Sequence, residues 1–392
     1  MDRRLIVLAA GMFAIGTDSF VVAGILPQVA QSLGVSIGVA GQMVTLYALS
    51  YALLSPVIAA TLAHWPRKRL LLAGLAVFVV GNLITAVAPT IEWVLASRLI
   101  AGLGAAMFSP TATAAGASLV PPEKRAHALA IVIAGLTSAT ALGSPIGTFI
   151  GGLGDWRATM WFVTAVGLAA GVAVYAMLPH VPALPAVTLR QRLAPLRDSR
   201  VVLTLLTTLA AYAGMFAVYT YIGVTFDRVT GGSPGVLAGL LLLWGFAATV
   251  GNLGAGKLTD RFGNRAIIYG ALALSTINFA LLPLASAHLW SAALSIAVWG
   301  VCGWGLLVPQ QHRLISLAPA SAPLLLGLNS AALYIGVSAA GVIGAASISL
   351  LDKHQIGLVG AVLLAVALFL ARQADRLIRK EQAGAAVGAA AN

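Results

Sequence analysis

The sequence predicts an all-α membrane protein in which twelve transmembrane helices form two six-helix bundles. Three observations carry this. The 392 residues are 60% apolar and 9% charged, with a mean hydropathy of +0.96, where a soluble domain carries about 25% charge. A soluble core has no room for that much apolar surface, so the bilayer must hold it. Apolar runs of crossing length also recur along the chain, six on each side of a segment rich in proline and arginine. Finally, Ser55 to Leu72, SPVIAATLAHWPRKRLLL, sets a basic knot (Arg67, Lys68, Arg69) between two apolar runs. The figure returns 196 residues later as AGKLTDRFGNRAII, with Gly256, Asp260, Arg261, Gly263 and Arg265. Matching loops in both halves indicate an intramembrane duplication.

Each run is about long enough to cross the hydrocarbon. Span 1 covers about 5–26, and the loop PQVAQSLGVSIG leads to span 2 at about 40–60. The basic loop 64–69 precedes span 3 (about 70–88), and a short turn from Pro89 to Glu92 precedes span 4 (about 93–115). PPEKR (121–125) turns the chain into span 5 (about 127–150), and GDWR (154–157) into span 6 (about 158–178). Residues 179–200 hold Pro179, Pro182, Pro185, Pro195 and four arginines. They read as a cytoplasmic linker with a short interfacial helix around TLRQRL. Spans 7 (about 201–223) and 8 (about 236–256) flank the loop DRVTGGSPG. The second basic loop, 257–265, precedes spans 9 (about 266–284) and 10 (about 289–309). A polar stretch, 310–322, leads to spans 11 (about 323–348) and 12 (about 356–371). The expected organisation is an N-terminal bundle (1–178), the linker (179–200), a C-terminal bundle (201–372) and a disordered tail (373–392).

The net charge of +12 is placed by topology and does not call for a nucleic acid. With both termini cytoplasmic, 19 of the 23 basic residues fall on that side, leaving Arg98, Arg157, Arg228 and Lys353 within spans or outside. This is the positive-inside pattern. The lone Cys302 excludes an internal disulfide, and no His or Cys spacing suits a metal. MDRRLIVLAAGMFAIG lacks a convincing cleavage site and is kept as mature sequence. No GxxxxGK[ST] loop is present, which argues against ATP hydrolysis, and no clustered His/Asp ligands or Ser-His-Asp set argues for an enzyme.

The motifs resemble the major facilitator superfamily, and more narrowly its twelve-span drug:proton antiporters, which include chloramphenicol and arabinose-sugar exporters. The resemblance covers about 5–372. Gly256, Asp260, Arg261, Gly263 and Arg265 fit the family's G-x-x-x-D-R-x-G-x-R loop. The first copy has His64 at the Asp and Trp65 at the Arg, keeping Arg67, Lys68 and Arg69. In the family such loops brace the cytoplasmic side of the outward-facing state; the alternative here is that 64–69 only sets topology. Span 4 carries Arg98, Gly102 and Gly104 in a family-like pattern. Span 5, GLTSATALGSPIGTFIGG, resembles the antiporter signature with Gly135, Gly143, Pro145, Gly147, Gly151 and Gly152. Those glycines serve either transport direction or close packing alone. The resemblance implies the major facilitator fold, two six-helix bundles with inverted repeats, and a proton gradient in place of a cofactor.

Asp18 is the one acid deep within an apolar run. A charge there is expensive, so it should face a cavity and act. Burial disfavours the charged form of a carboxylate, which suits a proton carrier. Substrate contact without coupling, or a structural role beside Thr17 or Ser19, are the alternatives. Arg98 either snorkels to the outer surface or, as the resemblance implies, faces the cavity and tunes the acid. The candidate substrate wall is Phe20, Tyr47, Tyr51, Met107, Tyr212, Phe216, Tyr219, Trp244, Trp299, Trp304, Asn329 and Tyr334. Aromatic rings with a few polar edges suit amphipathic molecules. The expectation is therefore a proton-coupled exporter of small amphipathic compounds such as drugs, monomeric, in a bacterial inner membrane. Export of sugars or other metabolites, and proton-coupled uptake, use the same fold.

Overall fold

Helix α1 (Arg3–Leu33) starts where the Asp2 side chain accepts the Arg4 N–H and stops at Gly34, whose φ of 64° closes the last turn. The computed structural model describes residues 2–179, 181 and 188–390. Pro182 and Pro185 of the expected linker lie outside the described residues. The remaining long helices are α2 (Ile37–Thr61), α3 (Arg67–Val87), α4 (Ile91–Ser118), α5 (His127–Gly152) and α6 (Arg157–Met177). Then come the short linker helix α7 (Leu189–Leu193), α8 (Ser199–Thr220), α9 (Pro234–Ala280), α10 (Leu289–Leu317), α11 (Ala322–Leu350) and α12 (Ile356–Ala390).

Eleven described helices are long and apolar enough to span a bilayer, and the 47-residue α9 accounts for two of the twelve expected crossings. It breaks at Gly263 (φ 79°, ψ 156°). Trp244 and Phe279, both on α9, pack against Trp299 at ring separations of 5.8 and 5.2 Å. In a straight helix they would stand roughly 50 Å apart at 1.5 Å per residue, so the chain turns back at Gly263. Its positive φ is the conformation glycine reaches without penalty.

Four boundaries differ from the sequence-based expectation. Span 1 does not end before Pro27; α1 carries that proline and runs to Leu33, leaving a turn of three residues before α2. The loop 257–265 is helical except at Gly263. The stretch 310–322 is not a polar loop, because α10 continues to Leu317 and buries Arg313 (3% exposed) against Asp375. The segment after Lys380, expected to be disordered, continues α12 to Ala390. Helical periodicity is invisible in an Ala/Gly-rich tail, which explains the last difference.

Helices α1–α6 and α8–α12 form the two halves, which meet where α2 packs on α11 and α5 on α9. One apolar core runs through both halves. Large apolar side chains such as Leu153, Phe246, Leu253 and Trp290 remain exposed on the perimeter, as lipid contact requires. The end bearing both chain termini is here the terminal end, and the opposite one the far end. Cross-half contacts too close to admit a side chain lie between the far end and the middle: Gly41 on Tyr221, Gly152 on Pro234, Gly245 on Thr140, with Gly38 in tight contact with Ala345. Gly254, Gly256 and Gly327, toward the terminal end, have open space beside them.

Candidate functional site

Helices α1, α3 and α4 bring Asp18, Asn82 and Arg98 together in the middle of the N-terminal half, with exposures of 0%, 0% and 1%. Arg98 Nη1 donates to Asp18 Oδ1 (2.8 Å) and to Asn82 Oδ1 (3.2 Å). Asn82 Nδ2 donates to Asp18 Oδ2 (3.4 Å) and to the Phe78 carbonyl (3.1 Å). The guanidinium lies 4.7 Å from the centre of the Tyr47 ring, a cation–π contact. The pair is thus screened from lipid on every side. Arg98 Nε has no hydrogen-bond partner among the described residues. Every other polar atom of the group is either hydrogen-bonded or not buried without a partner.

Arg98 therefore points inward and does not snorkel, and its salt bridge to Asp18 is direct. Sequence reasoning overlooked Asn82 as a member of this group. The available signal was depth, since by the expected boundaries all three polar residues sit about five to eight positions from the same end of their spans. The charged centre belongs to one half only. Asn278 stands 196 residues after Asn82 and donates to the Ser295 carbonyl, but Gly214 and Leu294 occupy the positions matching Asp18 and Arg98.

The signature glycines of α5 explain how Asp18 is held. Gly135, Gly143, Gly147 and Gly151 lie against Ala9, Thr17, Val21 and Ile25 of α1, and a Cβ at Gly143 would overlap Thr17, the neighbour of Asp18. Only with such contacts can α1 approach α5 this closely. Gly102 and Gly104 do the same for α4, on Tyr47 and Ser50 of α2 and on Gly74 and Phe78 of α3. Gly152 alone of the α5 set meets the other half, at Pro234. A π-helical turn, Ala139–Gly143, precedes Pro145, which cannot donate to the ladder.

Most of the candidate wall forms one aromatic cluster at the junction of the halves. Phe20 of α1 touches the rings of Phe216, Tyr219, Trp244 and Trp304 at 6.0–6.2 Å. Tyr212 and Trp299 extend it. The Tyr219 hydroxyl donates to the Phe20 carbonyl (3.2 Å), a polar tie between halves. Tyr51 of α2 stacks on Tyr334 of α11 with centroids 4.0 Å apart. Tyr47 belongs instead to the charged centre and accepts from the Ser19 hydroxyl (3.1 Å). Met107 is buried. Asn329 is set apart, accepting from Thr208 (2.8 Å) beside Gln310.

At the terminal end the two basic loops behave differently. Lys68 donates to the carbonyls of Tyr175 (2.8 Å) and Leu178 (2.6 Å), closing the end of α6, and the Arg67 N–H donates to the Val181 carbonyl (2.9 Å). His64 and Arg69 are exposed. In the second loop Arg265 reaches Asp375 of α12 (3.5 Å), where Arg313 also binds at 2.7 Å. Arg261 lies over Phe262, and Asp260 is exposed with no ion pair among the described residues. Gly256 faces open space. Lys68 and Arg265 thus hold their own halves, and Arg67 holds the linker. Among the described residues no cluster of three or more His, Cys, Asp or Glu side chains could hold a metal.

Residues 8–341 match the family model described as Major Facilitator Superfamily. The chain belongs to that superfamily. It is 31% identical over 371 residues to the inner membrane transport protein YdhP of Escherichia coli K12, covering 94% of this chain and 95% of that one. It is 32% identical to the MFS-type transporter YtbD of Bacillus subtilis, covering 92% and 93%. A chloramphenicol resistance protein of Streptomyces lividans is 33% identical over 67% of this chain and 68% of its own. Two solved structures share the fold. A bacterial homologue of the lysosomal transporter Spinster, inward-facing and occupied, has a TM-score of 0.75 at 17% identity, covering 95% and 96%. A mutant of the nucleoside transporter NupG has a TM-score of 0.77 at 12% identity, covering 95% and 98%. The protein is a multi-pass membrane transporter and not an enzyme.

Proposed function

We propose that this superfamily member is a proton-coupled exporter of small amphipathic compounds, with Asp18 as the coupling residue. The observation that carries the reading is the buried Asp18–Arg98–Asn82 group, a charge pair placed deep within the span region, where an ionisable side chain is expensive to keep. When Asp18 takes a proton, Arg98 loses its counterion and the balance between conformations shifts. Substrate and proton then compete for the same conformational cycle, which is antiport.

The two halves rock about the aromatic cluster of Phe20, Phe216, Tyr219, Trp244 and Trp304. Rings of this kind with hydroxyl and indole edges favour planar, partly apolar ligands. The relative named for chloramphenicol resistance supports a drug-like substrate, and the one named an inner membrane transport protein supports a bacterial inner membrane. The excess of basic residues at the terminal end supports a cytoplasmic position for it. In that orientation the halves are closed outside. The loops 64–69 and 256–265 brace the opposite state, after releasing partners they hold here. Monomeric function is the simplest arrangement. Efflux of sugars or other metabolites, or proton-coupled uptake, is the alternative within the fold.

The test is proton movement in proteoliposomes with a pH dye, an imposed gradient and a panel of chloramphenicol-like drugs, cationic dyes and pentoses. Substrate-dependent proton flux that disappears in Asp18→Asn is the expected result. Coupled flux that persists in that variant, or labelled-substrate exchange with no proton movement, would overturn Asp18 as coupling residue. Inward accumulation down a proton gradient would assign uptake.

A further inference from the structure

The segment between the halves carries a surface apart from the charged centre and the aromatic cluster. The Thr188 side chain caps α7 with a reciprocal bond to Gln191, and a single 3₁₀ turn, Ala194–Arg197, continues it to the start of α8. Leu189, Leu193 and Leu196 follow at helical spacing and are exposed by 39%, 41% and 40%. Arg190, Ala194 and Arg197 form the adjoining face and, with Thr188 and Gln191, line an open cavity of about 380 Å³. Arg192 leaves by another side and donates to the Ala59 carbonyl at the end of α2 (3.1 Å), pinning the segment to the terminal-end mouth of the bundle.

The charges around this cavity are uneven. Arg190 and Arg197 make no ion pair or hydrogen bond among the described residues. The nearby acids are already engaged, Asp198 and Glu381 both with Arg200 (2.6 and 2.7 Å). Two free guanidinium groups beside three exposed leucines, at the level where α2 and α8 leave the membrane, match a ligand with a phosphate head and an apolar tail.

We propose that Thr188–Arg197 binds the phosphate of an anionic phospholipid in the leaflet at the terminal end. Arg190 and Arg197 grip the head and the leucines lie along the acyl chain. The site tethers the linker to the bilayer surface while the halves move on either side of it. A free anion has the same head chemistry but no use for the leucines, and the exposed leucine row favours the lipid.

The test titrates delipidated, purified full-length protein with dioleoylphosphatidylglycerol and with dioleoylphosphatidylcholine, counting bound lipids by native mass spectrometry. Wild-type protein is expected to prefer the glycerol lipid. The double variant Arg190→Gln/Arg197→Gln should lose on the order of tenfold in that affinity, while Arg190→Lys/Arg197→Lys, which keeps the charges, should retain most of it. Equal affinity for the two lipids in wild type overturns the proposal without recourse to any variant. So does an unchanged affinity in the glutamine variant, or displacement of the lipid by inorganic phosphate at matching concentration, which would mark a soluble-anion site.

Discussion

Replacing Arg98 with leucine isolates the energetics of the charged centre. Asp18 then loses its 2.8 Å partner and keeps only Asn82 at 3.4 Å. An ionised carboxylate left alone at such a buried position costs about 3–5 kcal/mol. Arg98→Leu should therefore lose about 3–5 kcal/mol at pH 7. Thermal unfolding in detergent, followed by tryptophan fluorescence, reads this directly. The double variant Asp18→Asn/Arg98→Leu, which buries no charge, should recover most of that loss. A single variant as stable as wild type, or a double variant worse than the single one, refutes the account.

Two further outcomes follow from the packing and from the far-end charges. Gly143→Val forces a side chain into Thr17 and pushes α1 from α5; overpacking of this kind costs about 1–3 kcal/mol, and substrate-driven proton flux should fall although Asp18 is intact, so undiminished flux would show that the seam is not needed. At the far end, burial pushes the pKa of Asp227 up, but hydrogen bonds from Lys353 and His354 outweigh it and hold the carboxyl below its ordinary value. A folded value below the unfolded one stabilises the protein above about pH 4 and is lost as the pH falls through the folded value. Asp227→Asn should accordingly lower the melting temperature at pH 7 and converge with wild type in acid; a constant gap across that range would contradict the assignment.

Much of the site was legible because the bilayer makes polar residues conspicuous. Asp18 and Arg98 stood out as charges inside apolar runs, and no packing knowledge was needed to select them. Asn82 did not stand out, because an amide in a span is common enough and its meaning lies in two helices that are distant in sequence. Asp375 and Arg313 were hidden for a different reason: each sits beyond the apolar run of its helix, where a charge is cheap, and only the approach of α10 to α12 buries them together. The role of Lys68 is likewise tertiary, since the carbonyls it caps belong to a helix more than a hundred residues away.

Composition and hydropathy alone determined that the chain lives in a membrane and that about twelve of its segments are apolar enough to cross it. Those properties depend on transfer from water to hydrocarbon, which each segment undergoes largely on its own account. The tertiary structure decided which way Arg98 points, what completes its partnership with Asp18, why the α5 glycines must be glycines and which linker arginines are left without a partner. These depend on distances between helices. A one-dimensional pattern records the helices but not the close approaches among them, because those arise from side-chain shape and backbone contact across the bundle.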